Sequence, residues 1–442
     1  MLTRKFEITF AVHQKKRMKL IDTIEKFIPG DWGEETLSSD SSCKVSCIRG
    51  ADIIPIENNE FDNIPTRYIS KRSFETKCLQ AGDIVVEKSG GSPTQSTGRV
   101  SFVSQELIDA LGSVVCSNFC VAFRVKKRWN PLYIYYFIQH IYNSGAFFNF
   151  EGKTSGIKNL QLEAAYNAVP IEEVDKTIQD SIVSVLDKIQ KKIAINRQIN
   201  QNLEAIAKQL YDYWFVQFDF PNDDGKPYKS NGGTMIWNEK LKRSIPEGWN
   251  AIPLSQILNY EGGNQPPASE FIYDYREGYI RFVQIRDYYS NSHITYIPLR
   301  KSNKICTETD IMIARYGASL GRICYGLNGA YNVALAKVTP KKKEYTEFLR
   351  VFLMSTGFYN KINSIGLRAA QAGFNKEDIE NILIPFPNQD DVIVNFGNRM
   401  ESNFLRRLHN DKENYDNAML RDEMLSLLMN GQVSLNSDLS AY

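Results

Sequence analysis

The sequence predicts an α+β protein in which a mixed α/β globular domain followed by a long helix occurs twice. Three observations lead to this prediction: two long amphipathic runs, a set of motifs that recurs about half a chain apart, and a turn-rich segment between the copies. A chain of 442 residues is long enough for more than one domain, and its apolar content of 43% is that of a globular protein. No apolar run approaches the roughly 20 residues that span a bilayer, and no signal-peptide pattern opens the chain. We therefore expect a cytoplasmic protein.

The first domain begins near Met18, where a more structured pattern starts, and the sequence leaves open whether translation starts at Met1 or at Met18. Residues 1–17 are therefore a candidate N-terminal extension. Further on, AGDIVVEKSGGSPTQSTGRVSFV (81–103) combines an Asp-Ile strand start, a Gly/Ser turn and a Gly-Arg pair that enters another strand. The segment 117–141 then predicts a strand, a basic turn and an aromatic-rich helix.

The first long helix is predicted over 177–214, because apolar residues follow a heptad seam that no Pro or Gly interrupts. Two seam positions are polar, Lys192 and Asn196. A buried Asn on such a seam fixes the register of paired helices, whereas an exposed one does not. The sequence leaves both interpretations of Asn196 open.

Large aromatic residues end this helix, among them Tyr211, Trp214 and Phe215. Aromatic side chains bring the largest apolar area per residue to a junction. We therefore expect this end of the helix to pack against another part of the protein.

A turn-rich segment, 219–236, separates the two copies and predicts a linker. Beyond it, ETDIMIARYGASLGRICYG (308–326) parallels the earlier strand–turn–strand pattern, and the segment 331–355 parallels 117–141. A second amphipathic run, 389–429, predicts a second long helix. The repeat of about half the chain is too long for a solenoid and indicates a duplicated domain.

The sequence offers no convincing catalytic site. The tetrapeptide NPLY (130–133) is similar to a loop with which amino-methyltransferases hold a flipped base, but its second Pro is missing. Asn130 as a helix N-cap, with Pro131 at the first helical position, explains the tetrapeptide better. SGGSP (89–93) lacks the Gly-Lys-Ser/Thr of a phosphate-binding loop.

Two cysteine pairs, Cys43/Cys47 and Cys116/Cys120, have the ligand types for a zinc site. Their surroundings are strand-like, where free cysteine behaves as a small buried hydrophobe. We therefore expect no metal on this chain, and we assign no catalytic residue.

Polar, basic and glycine residues are concentrated in corresponding loops of the two halves. Hydroxyls, amides and backbone N–H groups approach phosphates closely, whereas Gln and Arg can contact base edges. Basic blocks at 120–160 and 337–376 precede an acidic block at 387–425, although the net charge is only +2. The candidate DNA-contacting residues are Arg49, Lys88, Ser89, Ser92, Gln95, Thr97, Arg99, Lys153, Gln284, Arg286, Tyr288, Arg315, Tyr316, Ser319, Arg322, Arg368, Gln371 and Asn375.

Several motifs, taken in order, resemble the specificity (S) subunits of type I restriction-modification systems. WFVQFDFP (214–221), GKPYKSNGG (225–233) and SIPEGW (244–249) are similar to the middle of those proteins. PGDWGEE, SCIRGADI and EKSGGSPTQSTGR in the first half, and QIRDY and DIMIARYGASLGR in the second, are similar to their target-recognition domains. The resemblance extends over about residues 18–435. The first half departs from it in lacking a start like Ile-Pro-Glu-Gly-Trp.

The resemblance implies two mixed α/β target-recognition domains in a pseudo-two-fold repeat, separated by two long antiparallel coiled-coil helices. The predicted divisions are 1–17, a candidate N-terminal extension; 18–170, target-recognition domain 1; 171–216, the central helix; 217–243, a linker; 244–385, target-recognition domain 2; 386–435, the C-terminal helix; and 436–442, a tail.

The resemblance also implies a function in phage defence. Each domain would read one half of a bipartite, asymmetric site in double-stranded DNA, and the helices would set the gap. This chain would bind no cofactor. S-adenosylmethionine, Mg²⁺ and ATP would belong to partners: two modification (methyltransferase) subunits and the restriction (motor-nuclease) subunits. The expected partner contacts are Tyr211, Trp214, Phe215, Leu427 and Leu428.

Two other functions stay open on the sequence alone. One is a self-contained DNA-modifying enzyme, either a methyltransferase or a nuclease. The other is a non-catalytic coiled-coil scaffold that does not contact nucleic acid. We expect no membrane association in any of the three cases.

Overall fold

The computed structural model describes residues 17–90, 95–154, 157–289, 291, 293–366 and 373–429. Contacts divide the chain into two units. Unit 1 comprises Met1–Arg197 and Glu413–Tyr442, and unit 2 comprises Gln198–Lys412. Each unit therefore contains part of both long helices.

Unit 1 contains short strands and helices followed by the start of the first long helix. Its strands are β1 (Arg17–Lys19), β2 (Ile24–Pro29), β3 (Cys43–Ile48), β4 (Thr66–Ile69), β5 (Ile84–Glu87), β6 (Ser89–Gly90), β7 (Val100–Phe102), β8 (Val114–Cys116), β9 (Cys120–Val125), β10 (Glu151–Thr154), β11 (Ile157–Leu160) and β12 (Pro170–Glu172). Its helices are α1 (Ile53–Glu57), α2 (Lys71–Lys77), α3 (Gln105–Leu111), α4 (Pro131–Asn143), α5 (Leu162–Ala168) and α6 (Lys176–Tyr211), the last of which continues into unit 2.

The main sheet of unit 1 has the order β2-β9-β5-β7 and is antiparallel throughout. A second sheet, β4-β3-β8, contains the parallel pair β3–β8. β10-β11-β6 and β1-β12 form two further sheets. Every residue of β5 is buried, as expected for an inner strand covered on both faces.

Helix α4 begins as the sequence predicts. The Asn130 side chain accepts hydrogen bonds from the N–H groups of Leu132 (2.9 Å) and Tyr133 (3.4 Å), and Pro131 occupies the first turn. The capping interpretation of the NPLY tetrapeptide is confirmed.

Unit 2 has its own strands and helices in a similar sequence along the chain. Its strands are β13 (Met235–Asn238), β14 (Arg243–Pro246), β15 (Trp249–Pro253), β16 (Leu258–Gly262), β17 (Tyr279–Val283), β18 (Tyr296–Pro298), β19 (Ile305–Cys306), β20 (Ile311–Ala314), β21 (Ile323–Cys324), β22 (Gly329–Tyr331), β23 (Leu335–Pro340) and β24 (Leu383–Pro387). Its helices are α7 (Thr346–Met354), α8 (Thr356–Gly366), α9 (Lys376–Glu380) and α10 (Asp391–Met429), the last of which continues into unit 1.

The sheets of unit 2 repeat the topology of unit 1. The order β16-β23-β20-β21 matches β2-β9-β5-β7, and every pairing in it is antiparallel. The order β18-β17-β22 matches β4-β3-β8, and its pair β17–β22 is again parallel. The pair β15-β24 matches β1-β12. The predicted duplication and α+β class are confirmed.

The two long helices pair in opposite directions within each unit. In unit 1, Asn196 Nδ2 donates to Glu413 Oε2 at 2.6 Å, and Lys192 Nζ lies 3.1 Å from the same oxygen. Asn196 is 1% exposed. The sequence leaves open whether Asn196 is buried between the helices or exposed, and the structure shows that it is buried.

In unit 2, the pairing continues with further side-chain hydrogen bonds. Asn200 Nδ2 donates to Asp411 Oδ1 at 2.7 Å, and Asn403 Nδ2 donates to the Leu203 carbonyl at 2.9 Å. Residues closer to the C-terminus of α6 therefore contact residues closer to the N-terminus of α10, so the two helices are antiparallel.

The end of α6 is buried in the core of unit 2. A π-helical turn, Asp212–Val216, follows the helix and carries Trp214 and Phe215 into this core. Phe215 packs edge-on against Phe348, with ring centroids 4.8 Å apart, and against Phe396, at 5.1 Å. The predicted packing of this aromatic end is confirmed.

The predicted linker residues 217–243 are folded against unit 2. The Phe220 ring stacks on Tyr228 at 4.8 Å and on Trp249 at 5.3 Å, and β13 pairs with β14. Of the predicted extension, residues 1–16 lie outside the described residues, and Arg17 already belongs to β1. Among the helices described, none combines the length and apolarity that a bilayer crossing requires.

Candidate nucleic-acid interface

The loop after β5 carries the exposed basic residue predicted for unit 1. Lys88 follows the buried strand directly and is exposed. Its N–H group and that of Ser89 both donate to the Phe119 carbonyl, each at 2.9 Å. This anchoring fixes the backbone while the Lys88 ammonium stays in solvent, where it can approach a phosphate.

Arg99 is held within unit 1 by a buried carboxylate. Its Nε and Nη2 donate to Glu87 Oε2 and Oε1 at 2.8 and 2.7 Å, and Nη2 also donates to the Gly50 carbonyl at 3.0 Å. The Arg99 side chain is 15% exposed and that of Glu87 is 4% exposed. Hydrogen bonding to Glu87 raises the pKa of Arg99 above its usual value. The guanidinium is therefore largely committed to this bidentate pair.

Thr97 is fully buried, and its N–H and hydroxyl groups donate to Glu151 Oε1 at 2.6 and 3.0 Å. Lys158 Nζ lies 3.3 Å from Glu151 Oε2 and donates to the Gln95 carbonyl at 3.2 Å. Thr97 therefore stabilises the conformation of the loop through its hydrogen bonds to Glu151. Gln95, two residues earlier, is half-buried.

Arg49 lines an apolar groove on unit 1. Its Nη2 lies 2.7 Å from Asp52 Oδ1, which raises the pKa of the guanidinium, and its side chain stays 36% exposed. The groove has a volume of about 640 Å³, and Trp32, Phe119 and Ile157 supply its apolar lining. Apolar side chains of this kind are suited to contact with a thymine methyl group.

The corresponding loop of unit 2 is richer in aromatic residues. The Arg315 guanidinium lies 5.0 Å from the centroid of the exposed Tyr316 ring, and its Nη1 donates to the Val333 carbonyl at 3.2 Å. The Arg322 guanidinium lies 3.9 Å from the centroid of the Tyr289 ring. Such cation–π pairs place a guanidinium beside an aromatic ring, where the guanidinium can donate to a phosphate or a base edge.

Ser319 lies in the same cluster, because its Oγ is 3.2 Å from the Tyr289 hydroxyl. Tyr289 is 66% exposed and is not among the DNA-contacting residues that the sequence predicts. Its neighbour Tyr288 is among them. The 3-10 turn Ile285–Tyr288 turns Tyr288 inward, where burial raises the pKa of its phenol.

The remaining candidates of the QIRDY motif lie around Thr295. Gln284 Nε2 and Arg286 Nη2 both donate to Thr295 Oγ1, at 3.4 and 3.3 Å. Arg286 keeps about half of its side chain exposed. Asp287 is buried, and its Oδ2 accepts the Gln284 N–H at 2.9 Å, which closes the turn.

Asn375 caps a helix, since its side chain accepts the Asp378 N–H at 3.0 Å at the start of α9. Ser92, Arg368 and Gln371 lie outside the described residues, as does the side chain of Lys153. DNA contact at these positions stays a prediction.

The predicted partner-binding residues are mostly buried. Tyr211, Trp214 and Phe215 belong to the core of unit 2, and Leu428 belongs to that of unit 1. Leu427 is half-buried at the end of α10. Their first role is therefore packing, and contact with a partner at these positions stays a prediction.

Among the described residues, no group of three or more His, Cys, Asp or Glu side chains is arranged to hold a metal ion. Cys47, Cys116 and Cys120 are buried as free thiols. Burial raises the pKa of Cys47 to about 12 and that of Cys120 to about 11, so these thiols stay protonated at neutral pH.

A family model described as the type I restriction modification DNA specificity domain matches residues 52–205 and 246–410, once in each half of the chain. The chain belongs to this family. The resemblance noted in the sequence is confirmed, and the chain is a DNA-recognition subunit of a type I restriction-modification system. Specificity subunits are the non-catalytic chains of these systems, whose catalysis is in partner subunits.

Individual relatives are distant but similar in length. The MjaIX specificity subunit of Methanocaldococcus jannaschii is 22% identical over an alignment that covers 92% of this chain and 94% of that one. The HindI specificity subunit of Haemophilus influenzae is 23% identical over an alignment that covers 59% of this chain and 68% of that one. The crystal structure of a type I S subunit from M. genitalium has the same fold, with a TM-score of 0.56, 13% identity and coverage of 97% and 98% of the two chains.

Proposed function

We propose that each unit of this specificity subunit reads one half of a bipartite, asymmetric site in double-stranded DNA. The observation that carries the proposal is the repeated topology. β5 and β20 hold the same position in matching sheets, and each is followed at once by a basic residue, Lys88 or Arg315. Two similar platforms with different loop side chains are suited to two different half-sites.

The helix pair α6–α10 is the spacer in this proposal. The helices cross from one unit to the other at residues 197 and 412, and side-chain hydrogen bonds hold their register on both sides of that point. A coiled coil of fixed register resists stretching, so the number of its residues sets the gap between the half-sites.

The proposed partners supply the chemistry. Two modification subunits with S-adenosylmethionine methylate adenine at the bound site, and restriction subunits with ATP and Mg²⁺ cleave DNA. The specificity chain binds none of these cofactors. We place the assembly in the cytoplasm, where the chromosome is accessible.

Within the two loops, the exposed side chains are the proposed DNA contacts. Lys88, after β5, is exposed, and the Arg315–Tyr316 pair, after β20, presents a cation beside a ring. Arg286, in the 3-10 turn after β17, is about half exposed and is a further proposed contact. Thr97, whose N–H group donates to Glu151 within unit 1, supports the shape of the loop instead.

The test is to express the chain with its neighbouring genes and to map methylated adenine in host DNA by single-molecule sequencing. The expected result is one bipartite motif with a fixed gap, lost on deletion of this chain. An expressed, intact modification subunit that leaves no such motif would contradict the proposal.

The two other functions open from the sequence give different results in the same system. A self-contained enzyme would methylate or cleave DNA as the purified chain alone. A coiled-coil scaffold would leave the DNA affinity of the assembled complex unchanged when Lys88 and Arg286 are replaced by Ala.

A further inference from the structure

Two arginines occupy equivalent positions in the two units. The Glu87 N–H donates to the Arg99 carbonyl at 2.9 Å, and the Ala314 N–H donates to the Arg322 carbonyl at 2.9 Å. Both bonds lie at the end of an inner strand, β5 or β20, in sheets of the same order. Arg99 therefore corresponds to Arg322, and Glu87 corresponds to Ala314.

A second pair of positions also corresponds. Gly50 and Ile285 each begin a 3-10 turn, Gly50–Asp52 or Ile285–Tyr288, which leaves the inner strand β3 or β17. A Cβ atom on Gly50 would lie 2.5 Å from Glu87 Oε1. The glycine is thus what leaves room for the buried carboxylate.

The two units fill this space in opposite ways. Unit 1 combines the small Gly50 with the long Glu87, whereas unit 2 combines the bulky Ile285 with the small Ala314. Ile285 packs against the apolar cluster of unit 2 that contains Met312 and Tyr331. The exchange places the larger residue on the 3-10 turn instead of the strand and removes a carboxylate from unit 2.

The presence or absence of the carboxylate goes with a different contact of the corresponding arginine in each unit. In unit 1 the Arg99 guanidinium is paired with Glu87 at two atoms. In unit 2 the Arg322 guanidinium lies over the Tyr289 ring, and its buried Nη1 has no hydrogen-bond partner within the part of the chain that the structure describes.

The Tyr289 ring is itself held in place, because its hydroxyl lies 3.2 Å from Ser319 Oγ. The ring is 66% exposed. Arg322 is itself half-buried, and an arginine already stacked on an aromatic ring loses little conformational freedom when it binds.

We propose that Arg322, carried on Tyr289, determines specificity by contacting a base edge in the half-site of unit 2, and that the Ile285/Ala314 pair keeps it free to do so. The proposal rests on the proposed DNA-reading function. Guanine is the base expected, because its O6 and N7 atoms accept two hydrogen bonds from one guanidinium. In unit 1, Nε and Nη2 of Arg99 already donate to the carboxylate of Glu87.

The test uses the full chain assembled with its modification subunits and begins with the bipartite motif of the wild-type complex. Competition binding is then measured with duplexes that carry single base-pair changes in each half-site. With Arg322→Ala, discrimination should fall about 5- to 150-fold at one base pair of one half-site and should stay unchanged in the other. Arg322→Lys should give the same loss, because an ammonium cannot donate the planar pair of hydrogen bonds.

A transplant tests the cause. The double variant Ile285→Gly/Ala314→Glu introduces the unit 1 pair into unit 2 and offers Arg322 a carboxylate. It should lose discrimination at the same base pair although Arg322 is still present. Tyr289→Ala, at an exposed position, should weaken the same discrimination. Arg276→Ala, an exposed arginine of unit 2 outside the cluster, is the matched control and should change nothing.

Two outcomes would overturn the assignment. A uniform loss of affinity for all duplexes, with a smaller salt dependence, would show that Arg322 contacts a phosphate. An Arg322→Ala complex with wild-type discrimination would show that it contacts no base. A wild-type complex without any bipartite motif would instead remove the proposed function, and this inference with it.

Discussion

Asn196 and Glu413 join the two long helices within unit 1: the Asn196 amide donates to the Glu413 carboxylate at 2.6 Å, and Asn196 is almost completely buried. A hydrogen bond to a charged group contributes about 1.5–3 kcal/mol. A buried polar pair also excludes slipped registers, in which the amide would be buried without a partner.

Asn196→Ala should therefore lower the free energy of unfolding by about 1.5–3 kcal/mol. The measurement is urea denaturation of the assembled complex, monitored by circular dichroism. Gln198→Ala, at an exposed position of the same helix, is the control and should stay within about 0.5 kcal/mol of wild type. Equal effects of the two substitutions would contradict a special role for the buried amide.

Lengthening both long helices should lengthen the DNA gap. Insertion of about seven residues in α6 after Arg197 and in α10 after Lys412 adds about 10.5 Å at 1.5 Å per residue. At 3.4 Å per base pair, the preferred gap should grow by about 3 base pairs. Sequencing of methylated adenine gives the gap directly, and methylation at the original gap would remove the spacer role.

Trp214→Ala should destabilise unit 2 by about 3–5 kcal/mol, the usual loss for a large aromatic residue removed from a core. Its ring lies 5.8 Å from that of Phe396 and is buried. The free energy of unfolding gives the result, with the exposed Tyr213→Ala as the neighbouring control. If Trp214→Ala weakened only the binding of a modification subunit, its role would lie at that interface and not in the core.

Asn130→Ala should lower stability by about 0.5–2 kcal/mol through loss of the α4 cap. Asn130→Ser keeps an accepting oxygen without placing a second carboxylate beside Asp180 and should stay closer to wild type. Methylation per folded complex should be unchanged by either substitution, because the side chain is committed to capping and to Asp180, 2.7 Å from its Nδ2. Loss of methylation without loss of stability would restore the catalytic interpretation of NPLY.

Much of the fold can be predicted from the sequence, because the patterns that determine these helices and strands lie within short stretches of the chain. The heptad seam from Ile178 onward and the absence of Pro and Gly predict α6, and the Asp-Ile starts at Asp83 and Asp310 predict the inner strands of both units. Repetition strengthens each prediction, since the same pattern leads to the same sheet order twice.

The features that could not be predicted depend on residues far apart in the chain. Periodicity does not reveal that residues 413–429 belong to unit 1, because that assignment depends on pairing with α6. The engagement of Arg99 by Glu87 depends on the space left by Gly50, 37 positions before the glutamate (87 − 50). Which of Tyr288 and Tyr289 is exposed depends on one 3-10 turn. The pattern of apolar and polar residues does not predict the direction of that turn.

The order in which the units are completed follows from how the chain is divided between them. All of unit 2 lies between residues 198 and 412, whereas unit 1 needs residues 413–429 to cover Leu186 and the other apolar residues at the start of α6. During synthesis from the N-terminus, unit 2 therefore has all its residues before unit 1 does. Most of unit 1 is synthesised first. The apolar surface at the start of α6 nevertheless stays uncovered until the C-terminal part of α10 has been synthesised.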